Sequence, residues 1–328
     1  MTRALVTGAT GCVGANIVEA LLARGYQVRA LRRETSSLAA LAGLDPELAT
    51  GDVMDKPSLL AAMAGCEAVF HAAAISQYWR NEQETIYRIN VEGTRNVLEA
   101  AQATGVRRVV FTSSVGALGV PAHDAGLLDE TASFNLPPAR FPYGHSKVLA
   151  EAEVQRAVAA GLDAVIVNPA TVIGQRDVGF VGGEFLRTAR QGKAVAAPPG
   201  GVGVIAASDA GIGHVLAFER GRCGERYILN GENILYRHLM RLVAEVVGVR
   251  PPLFVMPAPA LQLAAGGVDL LRRMRRRPLL VDGNQMRLSV RRLYFDGSRA
   301  ERELGLTPIS VRQAVEEAWT WYRAQGLL

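Results

Sequence analysis

Short apolar runs alternate with stretches of helical periodicity through the first half of the chain. The runs Ala4–Thr7, Val28–Leu31, Ala68–Ala72, Val109–Ser113 and Ala164–Asn168 are too short for helices. They are almost unbroken in apolar character, as strands covered on both faces are. Between them, Val13–Ala23, Ser58–Ala64, Glu84–Thr104 and Ser146–Ala160 carry the helical period, and a further strand is expected just before Gly51. Strands alternating with helices predict βαβ units, a parallel sheet and right-handed crossovers. The expected class is α/β, a Rossmann-type doubly wound parallel sheet.

Beyond about Ala170 the pattern loosens. Val181–Gly183 and Ala197–Gly203 read as loops from their glycines and prolines. Glu225–Asn230 reads as a strand, Arg237–Val247 as a helix and Pro257–Met274 as an amphipathic helix. Ser310–Ala324 closes the chain as a helix with Ser310 as its N-cap.

Composition narrows the class. With 49% hydrophobic and 20% charged residues in 328, the chain can bury a core without staple or metal. Cys12, Cys66 and Cys223 are odd in number and form no CxxC pair, which disfavours disulfides and zinc and suggests a reducing compartment. The start MTRALVTGATG shows no leader pattern, so a cytoplasmic protein is expected. Pro257–Leu271 is too short and too interrupted for a membrane span.

The net charge of +5 arises largely from Arg272–Arg277 and Arg287–Arg292. No nucleic-acid-binding module accompanies it. A solvated basic face is the plain reading of these runs, and a docking patch the alternative. Peripheral membrane contact by residues 257–277 is one form of that alternative.

Two constellations carry chemistry. Gly8-Ala9-Thr10-Gly11-Cys12-Val13-Gly14 follows a strand and opens a helix. Gly8 permits the tight turn, Gly11 lets the backbone approach a pyrophosphate at the helix N-terminus, and Gly14 allows close packing. At the end of the second strand, Arg32-Arg33-Glu34 stands where enzymes using NAD hold an acid. Two guanidinium groups suit a 2′-phosphate, so NADP(H) is preferred, with NAD(H) the alternative. Asp52 and Val53 fall where an adenine would lie, and Ala72, Ala73 and Ala74 leave room beside the cofactor.

The second constellation is Tyr143 with Lys147, one helical turn apart, and Ser114 at a strand end. An adjacent cation favours a phenolate, so Tyr143 is expected to exchange a proton with a carbonyl or alcohol. Ser114 steadies the developing oxyanion. His71 is expected to pack at its strand end, and no metal site is expected.

These pieces resemble the extended short-chain dehydrogenase/reductases. The matching segments are TGATGCVG at 7–14, GDV at 51–53, HAAA at 71–74, NVEGT at 90–94, TSS at 112–114, YGHSK at 143–147 and NPATVIG at 168–174. The likeness continues through GERYILNGEN at 224–233 and FDGSRAERELGL at 295–306. It extends to the dihydroflavonol-reductase-like members and the hopanoid-associated sugar epimerase group, both within the NAD-dependent epimerase/dehydratase family.

The resemblance implies that Ser114, Tyr143 and Lys147 are catalytic. It implies cofactor contacts for Asn90, Pro169 and Val172, an Arg33 contact to the NADP phosphate, and a homodimer through helices near 84–104 and 146–160. It departs at Ile205–Asp209, where only Asp209 of a histidine-and-acid pattern is kept.

Residues 1–170 are therefore expected to form an NADP-binding Rossmann domain. Residues 171–328 are expected to form mainly a smaller C-terminal substrate lobe, with segments returning to the main sheet. The preferred function is reduction of a ketone or aldehyde by hydride transfer. The alternatives are a nucleotide-sugar epimerase or dehydratase, for which Arg187, Arg190 and Arg237 are candidate diphosphate groups, and a non-catalytic dinucleotide-binding redox sensor. The substrate pocket is expected among the loops Gln77–Gln83, Val120–Pro138 and Val178–Gly183, with a small carbonyl or sugar substrate and no nucleic acid.

Overall fold

The structure, a computed structural model, describes residues 2–77, 81–123, 126–274 and 282–328, with the side chains of 272–274 excepted. Seven parallel strands form the main sheet: β1 (Arg3–Thr7), β2 (Gln27–Arg32), β3 (Glu47–Thr50), β4 (Ala68–His71), β5 (Arg108–Thr112), β6 (Ala164–Pro169) and β7 (Arg226–Leu229). Their spatial order is β3-β2-β1-β4-β5-β6-β7. The direction of winding reverses between β1 and β4, and ligands of such sheets bind outside the strand ends at that switch point.

Alternate side chains of each strand feed two cores, because successive residues face opposite ways. Val6, Phe70 and Val110 pack with Ile17, Leu21, Val215 and Phe218 on one face, from the helices Cys12–Ala23 and Ala207–Arg220. Leu5, Val69, Phe111 and Ile166 pack with Met63, Leu98 and Val154 on the other, from the helices Lys56–Met63, Gly93–Ala103 and Pro142–Ala159. This two-sided cover explains the unbroken apolar runs.

Three readings of the sequence need correction. The expected helix 84–104 is a chain of three pieces, Gln83–Tyr87, a π-turn Arg88–Glu92 and Gly93–Ala103. The expected helix Ser146–Ala160 begins earlier, at Pro142, whose fixed φ suits a first helical turn. The expected loop 197–203 holds the start of a strand, Gly201–Ala206, the centre of a second sheet. It pairs with Glu232–Leu235, Arg292–Phe295 and Thr171–Ile173, so its glycines serve close packing rather than a turn. The helix Ala207–Arg220 follows directly, in a stretch where the sequence pattern gives no expectation.

The helices Tyr236–Val247 and Val311–Ala324 cover a third core containing Leu239, Val315 and Tyr322. Ser310 caps the latter, accepting from the Gln313 amide while the Gln313 side chain reaches back. Among the described residues, no helix is long and apolar enough to cross a membrane.

Two glycines give opposite expectations. A Cβ on Gly14 would lie 2.1 Å from the Gly8 carbonyl oxygen, and backbone cannot yield cheaply. Gly14→Ala should cost on the order of 2 kcal/mol. Gly266 lies in a helix with nothing within 4 Å of an added Cβ, so Gly266→Ala should stabilise by about 0.5–1 kcal/mol. Denaturant melts of both variants check the pair; a neutral Gly14→Ala would refute the packing argument.

Candidate active site

The switch point is built by backbone contact. Gly8 takes φ +67°, and a Cβ there would sit 2.6 Å from the Ala73 nitrogen, so the turn after β1 presses directly on the end of β4. The helix Cys12–Ala23 starts beside it with Gly11 at its N-cap and no side-chain cap, leaving its first amides available to an anion. A groove of about 420 Å³ runs from Gly8, Thr10 and Gly11 past Ala72, Ala73 and Ala74 to Arg32, Arg33, Ser36, Asp52 and Val53. Leu31, Ile75, Asn81 and Ile89 also line it, residues that no motif flagged.

The far end of this groove is cationic. Neither Arg32 nor Arg33 has an ion-pair partner among the described residues. The Arg32 Nε is buried without a hydrogen-bond partner, a donor waiting for an acceptor. Asp52 accepts from the Met54 amide at 2.9 Å and so stiffens its own turn. A dinucleotide fits this set: free helix amides for the pyrophosphate and unpaired guanidinium groups for a phosphate on the adenosine ribose.

Not every sequence candidate faces the groove. Cys12 turns its thiol to the Gln175 carbonyl oxygen, 3.8 Å away, and Val13 packs against the core. Burial pushes the Cys12 thiol well up, with the Asp177 carboxylate adding to it. Asn90 holds the loop after β4, accepting from the Ile75 amide at 2.8 Å and donating to its carbonyl at 3.0 Å. Pro169 ends β6, and Val172 lies in the strand Thr171–Ile173 of the second sheet.

Tyr143 and Lys147 share the helix Pro142–Ala159, and Ser114 follows β5. Ser114 accepts from the Gly116 amide at 3.1 Å, which leaves its own proton free to be donated. Burial pushes the Tyr143 phenol above its ordinary value, and the hydrogen bond with Ser114 opposes this. The expected phenolate stabilisation by Lys147 does not dominate; desolvation does. The Lys147 ammonium donates to the Thr112 carbonyl oxygen at 2.7 Å. Burial lowers it to about 8, opposed by Glu151 one turn further along the same helix.

Glu151, too, belongs to no sequence motif. Buried, it accepts from the Ser113 hydroxyl and from the Asn168 amide at 2.8 Å, and its other oxygen pairs with Arg226 Nε at 3.0 Å. Asn168 also donates to the Ser114 carbonyl at 3.0 Å. The only sequence signal was its position, four residues after Lys147 on an otherwise apolar face.

Beside Tyr143 lies a second cavity of about 170 Å³. Its walls include Val115, Val120, Phe134, Leu136, Phe141, Val202, Leu288, Leu293 and Phe295. Thr171 and Gln285 are its polar side chains besides Tyr143, and no charged residue lines it among those described. The segment 120–138 contributes as expected, whereas 285–295 stood out in the sequence only for its basic run and not as a pocket wall. Of the expected loop 77–83, residues 78–80 lie outside the described residues, and Asn81 lines the dinucleotide groove instead. Arg187 pairs with Glu184, and Arg237 contacts His238; neither lines this cavity.

Two buried histidines support the strands. Thr94 donates to the Asn90 carbonyl, so its oxygen accepts from His71 Nε2 at 3.0 Å, and His71 Nδ1 accepts from Thr7 at 2.7 Å. This neutral ring is held at about 3 by burial, with Lys147 adding to the effect. His214 donates from Nδ1 to the Ala210 carbonyl and accepts from Thr112, and burial lowers it to about 4. The unfolded chain therefore binds more protons than the folded one below pH about 6.5. Stability from these two rings should be complete above that pH and fall as pH drops towards 4 and 3. Melting temperature against pH measures the loss, and side-chain ¹⁵N spectra should show both rings neutral at pH 5. An imidazolium signal from either ring at that pH would refute the assignment.

Comparison with known proteins agrees with this geometry. The model of the NAD dependent epimerase/dehydratase family matches residues 4–225. A Synechocystis protein provisionally named dihydroflavonol 4-reductase is 38% identical over 98% of this chain and 94% of its own length. Sterol demethylase protein B of Methylococcus capsulatus is 37% identical over 99% of both. A solved nucleoside-diphosphate-sugar epimerase from Pseudomonas aeruginosa superposes with a TM-score of 0.82 at 26% identity, covering 100% of this chain and 99% of that one. With a family model over two thirds of its length and relatives similar along nearly the whole chain, the protein belongs to the NAD-dependent epimerase/dehydratase family and is an NAD(P)-dependent oxidoreductase.

Proposed function

We propose that the protein reduces the carbonyl group of an apolar, uncharged ketone or aldehyde, with NADP(H) as the preferred cofactor. One observation carries this reading: the cavity beside Tyr143 is walled by apolar side chains and, among the described residues, holds no cation for a diphosphate. The names of two relatives point the same way, one a flavonoid reductase and the other a sterol-processing protein. The epimerase reading draws on the Pseudomonas neighbour but finds no phosphate-binding group in this cavity. Small polar sugars would also leave its apolar walls unmatched.

The residues divide the work as follows. Gly8, Thr10 and Gly11 with the helix amides hold the pyrophosphate; Arg32 and Arg33 hold a 2′-phosphate. A bound nicotinamide nucleotide supplies the hydride that the carbonyl carbon receives. Tyr143, kept protonated by burial, donates its proton to the carbonyl oxygen. Ser114, with its own lone pair occupied by the Gly116 amide, donates a hydrogen bond to that oxygen as charge develops. Lys147, anchored on the Thr112 carbonyl, would hydrogen-bond the nicotinamide ribose of a bound cofactor. Residues 1–170 form the cofactor groove and share the walls of the substrate cavity with Thr171, Val202 and the segment 285–295 of the C-terminal part. A cytoplasmic homodimer, with helices 84–104 and 146–160 at the contact, completes the proposal.

Tyr143→Phe should lower turnover with an apolar ketone by roughly 100- to 10,000-fold while leaving cofactor affinity within a fewfold. A sensor that merely binds dinucleotide would be indifferent, and unchanged turnover would refute the role. Replacing Arg32 and Arg33 together by Ala should weaken NADPH about 10- to 100-fold and NADH far less. Equal losses for both would remove the 2′-phosphate assignment. Steady-state assays across apolar ketones, aldehydes and nucleotide sugars test the substrate class; epimerisation without net cofactor use would overturn it.

A further inference from the structure

The helix Ala258–Met274 has two unlike faces. Leu261 and Ala265 are buried on one, and Asp269 pairs there with Arg287 at 2.7 Å. That side packs on the short helix Gly283–Leu288, two of whose residues, Gln285 and Leu288, line the cavity beside Tyr143. The opposite side presents Ala260, Leu263, Ala264, Gly267, Leu270 and Leu271 at spacings of three and four, one continuous stripe on a helix. None of these is polar. Leu263 is 80% exposed, Leu270 60% and Leu271 47%. The chain just before the helix adds Leu253, 78% exposed, and Phe254, 52% exposed. Contiguous exposed apolar surface of this kind marks a docking site in a soluble domain.

Charge indicates what docks. The sequence at the C-terminal end of the stripe runs Arg272-Arg273-Met274-Arg275-Arg276-Arg277, with five arginines and no acid. A two-fold contact between copies would pair the stripe with itself and offer this run no acid, since the stripe carries none. An apolar stripe flanked by a cluster of arginines instead matches an anionic lipid surface, whose headgroups attract the cations while its acyl boundary takes the leucines. We infer that the helix Ala258–Met274 lies on an anionic membrane surface, apolar stripe down, and holds the enzyme there. Its buried face is then one short helix away from the substrate cavity. Resting on the substrate reading above, an apolar carbonyl compound would enter from the bilayer side; the docking itself does not need that reading.

Flotation of the full chain with vesicles tests the inference. Binding is expected to vesicles of phosphatidylcholine mixed with phosphatidylglycerol, to weaken as salt is raised, and to be largely absent with phosphatidylcholine alone. Leu263→Asp combined with Leu270→Asp should reduce it by at least about tenfold, since both side chains would sit in the acyl boundary. Changing Arg275, Arg276 and Arg277 to Gln should do likewise and should weaken the salt dependence. Melting temperature and NADPH affinity should be unchanged in both variants. No binding to the anionic vesicles, equal binding to neutral ones, or undiminished binding by the leucine variant would each overturn the proposal. A leucine variant that alters oligomeric mass and leaves vesicle binding intact would assign the stripe to self-association instead. Because vesicle binding is read without substrate, its failure leaves the carbonyl-reduction reading standing, and the converse holds.

Discussion

A charged ammonium held inside the protein is the constraint on which the site depends. Lys147 is buried, and an isolated charge there would be costly. The Thr112 carbonyl and the Glu151 carboxylate compensate it. Glu151 in turn reaches Ser113 after β5, Asn168 in β6 and Arg226 in β7. One carboxylate therefore ties the Tyr143 helix to three adjacent strands. Removing a partner from such a network leaves buried charge unmatched, which is why the phenol, the ammonium and Ser114 keep a common geometry.

The cofactor side rests on the opposite principle, the absence of side chains. Gly8 presses on Ala73 and Gly14 on Gly8, so two strands and a helix meet by backbone alone. That close approach leaves amides facing the groove and shapes a path from the glycine turn to Arg32 and Arg33. Electrostatics sorts the two sites: hydrogen-bond donors and arginines along the groove from the glycine turn, and beside Tyr143 a cavity with no charged side chain among the described residues. On the proposed reading, polar recognition is concentrated on the cofactor, leaving the substrate to shape and apolar contact.

The sequence by itself determined the doubly wound sheet, because unbroken apolar strands alternating with helices have few other solutions. It also determined the glycine turn, the Tyr143–Lys147 spacing and the arginine pair, since each depends on residues adjacent along the chain. Tertiary structure decided whatever depends on residues far apart. The Tyr143 phenol rises through burial instead of falling beside Lys147, because desolvation is set by the whole surrounding packing. Glu151 carries no motif, and its importance appears only when β5, β6 and β7 lie side by side. The apolar cavity joins Val115, Phe134 and Leu288 from segments that share no local pattern. Gly201–Ala206 was hidden because its glycines mimic a loop locally and are required only where Tyr294 and Phe295 pack against them. Local spacing encodes turns and helix faces, whereas dielectric environment and cavity walls come from contacts made across the chain.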